Sequence, residues 1–456
     1  MAPTQLTKTA QQARQHLMVP AQDMKTLGQR ALPALSHGEG IHVFTENGHR
    51  LIDGPAGMWC TQVGYGCSEI AEAIADQATT LSYNSPWYTT NTQAAALAEQ
   101  IATMTPGDLN RIFFTTGGST AVDTALRFVE YFNNALGRPS KKGIVVRRDG
   151  YHGSTALTFS CSGRSQTAPH FDPPAQRIHY LSSPNIRLSG GQTEAQFLET
   201  LVEEFETLIE ANGPETIGAF LAEPILASGG VIIPPKGYHA RFKEICEKHE
   251  ILYISDEVVT AFGRCGEWFA SEKVFGVVPD IITFAKGVTS GYVPLGGVAI
   301  SDKLLARVSG ENAGGAYFGN GYTYSGHPVS CAAGLANIKV FEKLDLLNHV
   351  RKISGYFNQA LQGLRDLPGV VDVRVSGLVG CVECMTVDQR IIAKAEDRAM
   401  ATEIDTLCFE MGLIVRPLAN LCVISPPLTI TEDQIDEICD ILRTAIIRVT
   451  AEHLAA

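Results

Sequence analysis

The sequence predicts an α/β fold, with a large, mainly parallel sheet followed by a smaller α+β part. Three observations carry this prediction. Between about residues 111 and 300, apolar runs of strand length alternate with longer stretches of helical spacing. That alternation is the signature of crossover units that cover both faces of a parallel sheet. The runs are continuous, as expected of strands buried on both faces. After about Phe341 the order changes to helix, short β runs and further helices.

Residues 1 to about 30 read as one or two helical turns and loops, ending near Leu32-Pro33. Gly40–Phe44 and Arg50–Asp53 flank Asn47-Gly48, a strong hairpin signal. Gly54-Pro55-Ala56-Gly57 reads as a loop leading to Met58-Trp59-Cys60. From Ser68 to Leu81 the apolar residues follow helical spacing, with Ser68 as the N-cap. Strands are expected at Arg111–Thr115, Gly143–Arg147, Ile217–Leu221, Ile251–Ser255, Ile281–Phe284 and Gly297–Ile300. Helices are expected at Ser119–Ala135, Glu194–Glu210, Gly237–His249 and Pro328–Glu342. Residues 161 to 192, rich in Ser, Pro and Gly, read as a long surface loop. Then come a helix at Leu344–Leu364, β runs at Val370–Val375, Val379–Met385 and Val423–Ile424, and helices at Arg398–Met411 and Thr431–Leu454. The expected division is an N-terminal segment, 1–60, that joins the small domain; a large domain, 61–330; and a C-terminal small domain, 331–456.

With 456 residues, 45% hydrophobic and 18% charged, the chain can bury a large core. A net charge of −12 argues against nucleic acid or an anionic membrane as a main partner. Eleven cysteines cannot all pair, and many sit in apolar runs, which suits reduced thiols in a cytoplasm. Cys381 and Cys384 have C-x-x-C spacing, but no second Cys or His pair follows at a zinc-like distance, so no metal site is expected. No apolar run reaches the roughly 18 residues of a membrane span. Met1 to Ala13 is polar, unlike a signal peptide. The expectation is a cytoplasmic protein.

Two residues organise the reading of function. Asp256 ends the run Ile251–Ser255, and Lys286 follows Ile281–Phe284 by two residues. Both therefore leave strands at the carboxyl edge of the sheet, where open α/β folds bind ligands. A carboxylate and an amine at that edge suit pyridoxal phosphate, whose aldehyde condenses with a lysine and whose ring nitrogen pairs with an acid. Taken alone, Asp256 could cap a turn and Lys286 could lie in an exposed loop. Glu257 would point away, to structural duty. Thr115-Thr116-Gly117-Gly118-Ser119-Thr120 joins a strand to a long helix. The free N–H groups of such a turn cradle an anion such as a phosphate. It is neither a Walker loop nor G-x-G-x-x-G, which disfavours a nucleotide binder. Tyr151 could stack on an aromatic ring or sit in the core, and His152 could be a second contact or a satisfied loop histidine.

The set Gly117-Gly118-Ser119, Tyr151-His152-Gly153, Glu223-Pro224, Ser255-Asp256-Glu257-Val258, Phe262-Gly263-Arg264, Lys286 and Thr323-Tyr324-Ser325-Gly326-His327-Pro328 resembles the class III aminotransferases in order and spacing, from about residue 15 to 450. The resemblance implies a fold-type I enzyme dependent on pyridoxal 5'-phosphate. It implies a homodimer, or a tetramer built of dimers, with active sites at the interface. By the same resemblance Lys286 is the lysine that condenses with the cofactor and Asp256 is the ring-nitrogen partner. Val258 and Tyr151 pack on the two ring faces, and Gly118 and Ser119 hold the phosphate. Thr323 reaches the partner subunit's phosphate, and Glu223 sits near the cofactor and lysine. Thr120 stands where the family usually has an acid, and Asn320 where it often has His.

Within the family, Trp59, Trp87 and Arg416 resemble the amine:pyruvate, or omega, branch. Its Trp walls the substrate pocket, an aromatic stands at the pocket mouth, and an arginine pairs with a substrate carboxylate. The resemblance implies ping-pong transfer of an amino group from an amine or omega-amino acid to a 2-oxo acid such as pyruvate. Lys286 would serve as base and then acid. An aminomutase or racemase of the same fold, or a non-catalytic binder of the cofactor, remains open on the residues alone.

Overall fold

The computed structural model describes residues 7–21, 23–29, 32–163, 170–172, 177–313, 317–386 and 393–454. The first six residues of the polar N-terminus, and parts of the expected loop 161–192, lie outside the described residues.

Three sheets organise the chain. β1 (Leu35–Glu39), β2 (His42–Thr45) and β3 (Arg50–Asp53) form an antiparallel meander. Thr45 and His49 close the Asn47-Gly48 turn between β2 and β3. The central sheet holds β4 (Arg111–Thr115), β5 (Gly143–Arg147), β6 (Ile178–Leu181), β7 (Ile217–Ala222), β8 (Leu252–Asp256), β9 (Ile281–Phe284) and β10 (Gly296–Ile300). Their order is β4-β10-β9-β8-β7-β5-β6. β10 runs antiparallel to both neighbours, and the other pairs are parallel. The third sheet is antiparallel: β11 (Val370–Ser376), β12 (Val379–Cys384), β15 (Leu421–Ile424) and β14 (Arg416–Leu418), in that order. β13 (Leu413–Ile414) lies parallel to β3, so a C-terminal strand completes the N-terminal sheet.

Both faces of the central sheet are covered, as continuous apolar strands require. The helix Gly118–Ala135 buries Val122, Ala125, Leu126 and Val129 at helical spacing. They pack with Ile144, Val146, Leu221 and Ile254 on one face. The helices Glu194–Asn212 and Tyr238–Lys248 cover the other face, with Phe205, Phe220 and Phe242 in mutual ring contact. Thr193 caps the first of these reciprocally: its hydroxyl accepts the Gln196 N–H at 3.3 Å while Gln196 Oε1 accepts the Thr193 N–H at 3.0 Å. A cap of this kind is worth about 1 kcal/mol.

Several expectations shift. Residues 161 to 192 are not all loop, because Ile178–Leu181 adds β6 at the sheet edge beside β5. A four-residue edge strand has too short a pattern to stand out from turn residues. Ser68 is the first residue of the helix Ser68–Thr80, and Cys67 holds the cap position without a side-chain cap bond. A helix at Thr92–Ala102 was not expected; Asn91 caps it by accepting the Ala94 N–H at 2.8 Å. Strands β1, β13 and β14 were also missed. Cys381 and Cys384 lie on β12 as buried free thiols. Among the described residues no helix is long and apolar enough to cross a membrane.

Candidate active site

Asp256 and Lys286 do meet at the carboxyl edge of the central sheet, one ending β8 and the other two residues past the end of the adjacent β9. They line a cavity of about 130 Å³ with Trp59, Gly118, Ser119, Tyr151, His152, Glu223 and Val258. Nine residues expected from the sequence therefore converge from six separate segments. Gly153, Ser228 and Val259 complete the lining.

Asp256 is 4% exposed and has three donors. His152 Nδ1 lies 2.7 Å from Oδ2; the Thr283 hydroxyl and the Val258 N–H donate to Oδ1 at 3.1 and 3.2 Å. Thr283 is the register partner of Asp256 across β8 and β9. Sequence reasoning passed over it, although its place next to the Lys286 turn was a usable signal. His152 lies in the loop after β5, lines the cavity and is satisfied by Asp256. It buttresses Asp256. Glu257 points the other way. Its carboxylate accepts the Ala270 and Ser271 N–H groups at 2.6 and 3.0 Å and the Thr260 hydroxyl at 3.1 Å, a structural role. Burial raises its carboxyl above the usual range.

Lys286 opens a 3-10 turn, Lys286–Thr289, with left-handed φ of 47°. Asn337, from the helix Pro328–Lys343, holds this turn by donating to the Gly287 and Val288 carbonyls at 2.9 and 3.1 Å. Burial pushes the Lys286 amine below the ordinary lysine range, and the Asp256 carboxylate opposes that shift. A neutral amine is the nucleophilic and basic form. Its Nζ lies 5.7 Å from the centre of the Trp59 ring, and the Arg416 guanidinium lies 4.5 Å from the same ring. Arg416 also contacts the Met58 sulfur.

Glu223, at the end of β7, accepts the Tyr151 N–H at 2.9 Å and the Ala227 N–H at 3.1 Å. Burial raises its carboxyl, and nearby His152 lowers it. At the start of the helix Gly118–Ala135, the first N–H groups have no helical acceptor. The Ser119 hydroxyl accepts the Ser154 N–H at 3.1 Å. Gly118 packs under Val258, where a Cβ would stand 3.0 Å from Val258 Cγ1. Thr120 turns inward: its hydroxyl donates to the Gly117 carbonyl at 2.9 Å. Asn320 donates to the Thr124 hydroxyl at 3.1 Å.

Trp87 and Thr323 are not among the residues lining this chain's cavity. They lie on the surface together: Trp87 is 52% exposed and sits over Gly321, and the Thr323 carbonyl accepts the Tyr83 hydroxyl at 3.1 Å.

The donor set fits pyridoxal phosphate. An amine, a carboxylate and a helix start with free N–H groups are held around one small cavity. Two buried polar atoms of its walls, His152 Nε2 and Trp59 Nε1, have no partner among the described residues. Buried polar groups without partners are uncommon and call for one. Among the described residues no group of acids, histidines and cysteines is arranged to hold a metal ion.

Fold and site together define a fold-type I transferase that uses pyridoxal phosphate. The sequence profile of the family described as Aminotransferase class-III matches residues 26–446. The putrescine--pyruvate aminotransferase of Pseudomonas aeruginosa is 36% identical over 446 residues, covering 97% of this chain and 96% of the relative. An (S)-enantioselective omega-transaminase from Thermomicrobium roseum superposes with a TM-score of 0.91 at 33% identity, covering 98% of each chain. An omega-transaminase from Pseudomonas jessenii in complex with PMP superposes with a TM-score of 0.94 at 30% identity, covering 98% of this chain and 99% of the other. The chain belongs to the class III aminotransferases. It is an aminotransferase, and its substrates are an amine and a keto acid.

Proposed function

We propose that this enzyme transfers an amino group from an amine or omega-amino acid to pyruvate by a ping-pong mechanism. One observation carries the reading. The reacting amine, Lys286, and a guanidinium suited to a carboxylate, Arg416, both stand against the single indole of Trp59. A small 2-oxo acid offers a carbonyl for the amine and a carboxylate for the guanidinium, and an apolar amine offers a surface for the indole. The relative named putrescine--pyruvate aminotransferase supports the choice of acceptor.

When bound, pyridoxal phosphate supplies an aldehyde carbon that takes up the amino group and a ring that spreads carbanion charge. Asp256 would hold the proton at the ring nitrogen, and His152 and Thr283 keep that carboxylate in place. Gly118 and Ser119 would hold the phosphate. Val258 and Tyr151 would flank the ring, and Glu223 fixes the Tyr151 backbone. Lys286 Nζ would take the proton from the donor carbon as base and, as acid, deliver it to the cofactor carbon on the other side of the transferred nitrogen. Trp59 walls the pocket, and Arg416 pairs with the acceptor carboxylate.

The same reading makes the enzyme a homodimer, or a tetramer of dimers, in the cytoplasm. Thr323 would hold the partner subunit's phosphate, and Trp87 would stand at the partner's pocket mouth. The exposed rings of Tyr83, Trp87, Tyr88, Tyr317 and Tyr324 support a covered surface there. The division into 1–60, 61–330 and 331–456 goes with this reading, supported by the pairing of β13 with β3.

The test is a half-reaction. Cofactor-loaded enzyme is mixed with an amine donor and no acceptor, and the visible spectrum is followed before and after pyruvate is added. Loss of the aldehyde absorbance, restored by pyruvate with release of alanine, is expected. An unchanged spectrum would refute transamination; restoration by 2-oxoglutarate but not by pyruvate would refute the choice of acceptor.

A further inference from the structure

The turn that carries Trp59 adopts backbone that its residues do not favour. Ala56, Gly57 and Trp59 all have positive φ, at 46°, 63° and 59°. Two of the three carry a Cβ, for which that region is sparsely populated. Such a turn persists only where its surroundings hold it.

Asp53, the last residue of β3, is 2% exposed and does the holding from inside. Its Oδ2 accepts the Gly57 N–H at 2.7 Å and the Tyr65 hydroxyl at 2.5 Å. Tyr65 is itself fixed to the N-terminal sheet: it exchanges backbone hydrogen bonds with Gly40 at 2.8 and 3.1 Å. Its ring covers Gly38, where a Cβ would come within 2.5 Å. From the other side, Ser425 donates its N–H to the Gly54 carbonyl at 2.8 Å and its hydroxyl to the Pro55 carbonyl at 3.2 Å. Burial raises the Asp53 carboxyl, and burial with the Asp53 charge raises the Tyr65 phenol, so the hydroxyl remains a donor. Neither residue lines the cavity.

We propose that Asp53 and Tyr65 are positioning residues for the substrate pocket: acting through the Gly57 N–H, they set where the Trp59 indole stands relative to Lys286 and Arg416. The inference rests on the reading of Trp59 as a wall of that pocket.

Tyr65→Phe deletes one hydroxyl and keeps the ring over Gly38. Steady-state kinetics with an aromatic amine and pyruvate are measured for the wild type, Tyr65→Phe, Trp59→Leu and the double variant, together with the visible spectrum of each loaded enzyme. Tyr65→Phe is expected to raise the amine KM roughly 3- to 10-fold, the scale of one lost hydrogen bond. The kcat and the cofactor spectrum should stay near wild type, and the KM effect should vanish in the Trp59→Leu background. A Tyr65→Phe enzyme with wild-type KM, while Trp59→Leu shifts it, overturns the inference and leaves the pocket reading intact. An undiminished Tyr65→Phe effect on top of Trp59→Leu overturns it too. If Trp59→Leu leaves the amine KM unchanged, the pocket reading fails and the inference with it. Should Tyr65→Phe not fold, Asp53→Leu replaces it, since leucine has a similar volume but no acceptor for the Gly57 N–H. A raised KM with a normal cofactor spectrum supports the proposal, and a wild-type KM overturns it.

Discussion

The imidazole of His152 lies 2.7 Å from the carboxylate of Asp256, Nδ1 to Oδ2, with both side chains almost closed to solvent. A carboxylate only accepts hydrogen bonds, so the Nδ1 position carries the hydrogen of this contact. Together with Thr283 and the Val258 N–H, this contact fixes the plane of the acid on which the ring-nitrogen role depends.

Removing the imidazole should therefore weaken catalysis without abolishing it. His152→Ala is expected to lower kcat about tenfold, as one partner of a buried acceptor is lost. Asp256→Ala should lower kcat by a hundredfold or more. Steady-state assays of the two variants check the ranking; equal losses would mean that His152 does more than orient Asp256.

The depressed Lys286 amine makes a prediction about stability. In the unfolded chain this amine titrates near 10.5, and in the folded chain it titrates lower because of burial. Between the two values the folded protein binds fewer protons, so its stability rises with pH. The burial penalty is fully present below the folded value and gone above about 10.5. Cofactor-free Lys286→Met should thus melt at higher temperature than cofactor-free wild type at pH 7, and the gap should narrow as the pH approaches 10. Thermal scans over that range test it; a gap independent of pH would contradict it. The same variant should show no transamination.

Gly118 faces two opposed effects on substitution. Alanine improves helix propensity by up to about 1 kcal/mol. Its methyl, though, would stand 3.0 Å from Val258 Cγ1, crowding the residue that flanks the cofactor ring in our reading. Gly118→Ala is expected to change the melting temperature of cofactor-free protein by only a few degrees. Cofactor affinity should fall several-fold, measured by titration with pyridoxal phosphate.

Arg416 separates substrates by charge. Arg416→Leu should raise the KM for pyruvate roughly 10- to 100-fold, the scale of hydrogen bonds to a charged group. An apolar ketone acceptor should keep its KM or improve it. Parallel assays with both acceptors decide the matter, and equal changes would remove Arg416 from carboxylate recognition.

The sequence by itself determined the α/β class, most strands of the central sheet and the candidacy of Asp256, Lys286, Gly118, Ser119 and Tyr151, while Glu223 and Val258 came only with the family resemblance. Those features rest on local signals: apolar runs buried on both faces, glycines at a strand-to-helix turn, and polar residues just past strand ends. Only the tertiary structure decided which groups they touch. His152 meets Asp256 across 104 positions, β13 joins β3 from the far end of the chain, and Tyr65 meets the same Asp53 oxygen that holds the Gly57 N–H. The physical reason is that a hydrogen-bond partner is selected by strand register and by which side of a turn is enclosed. Neither is written in the spacing of residues along one segment. The same reason hid the short edge strand β6, whose four residues become a strand through pairing with β5.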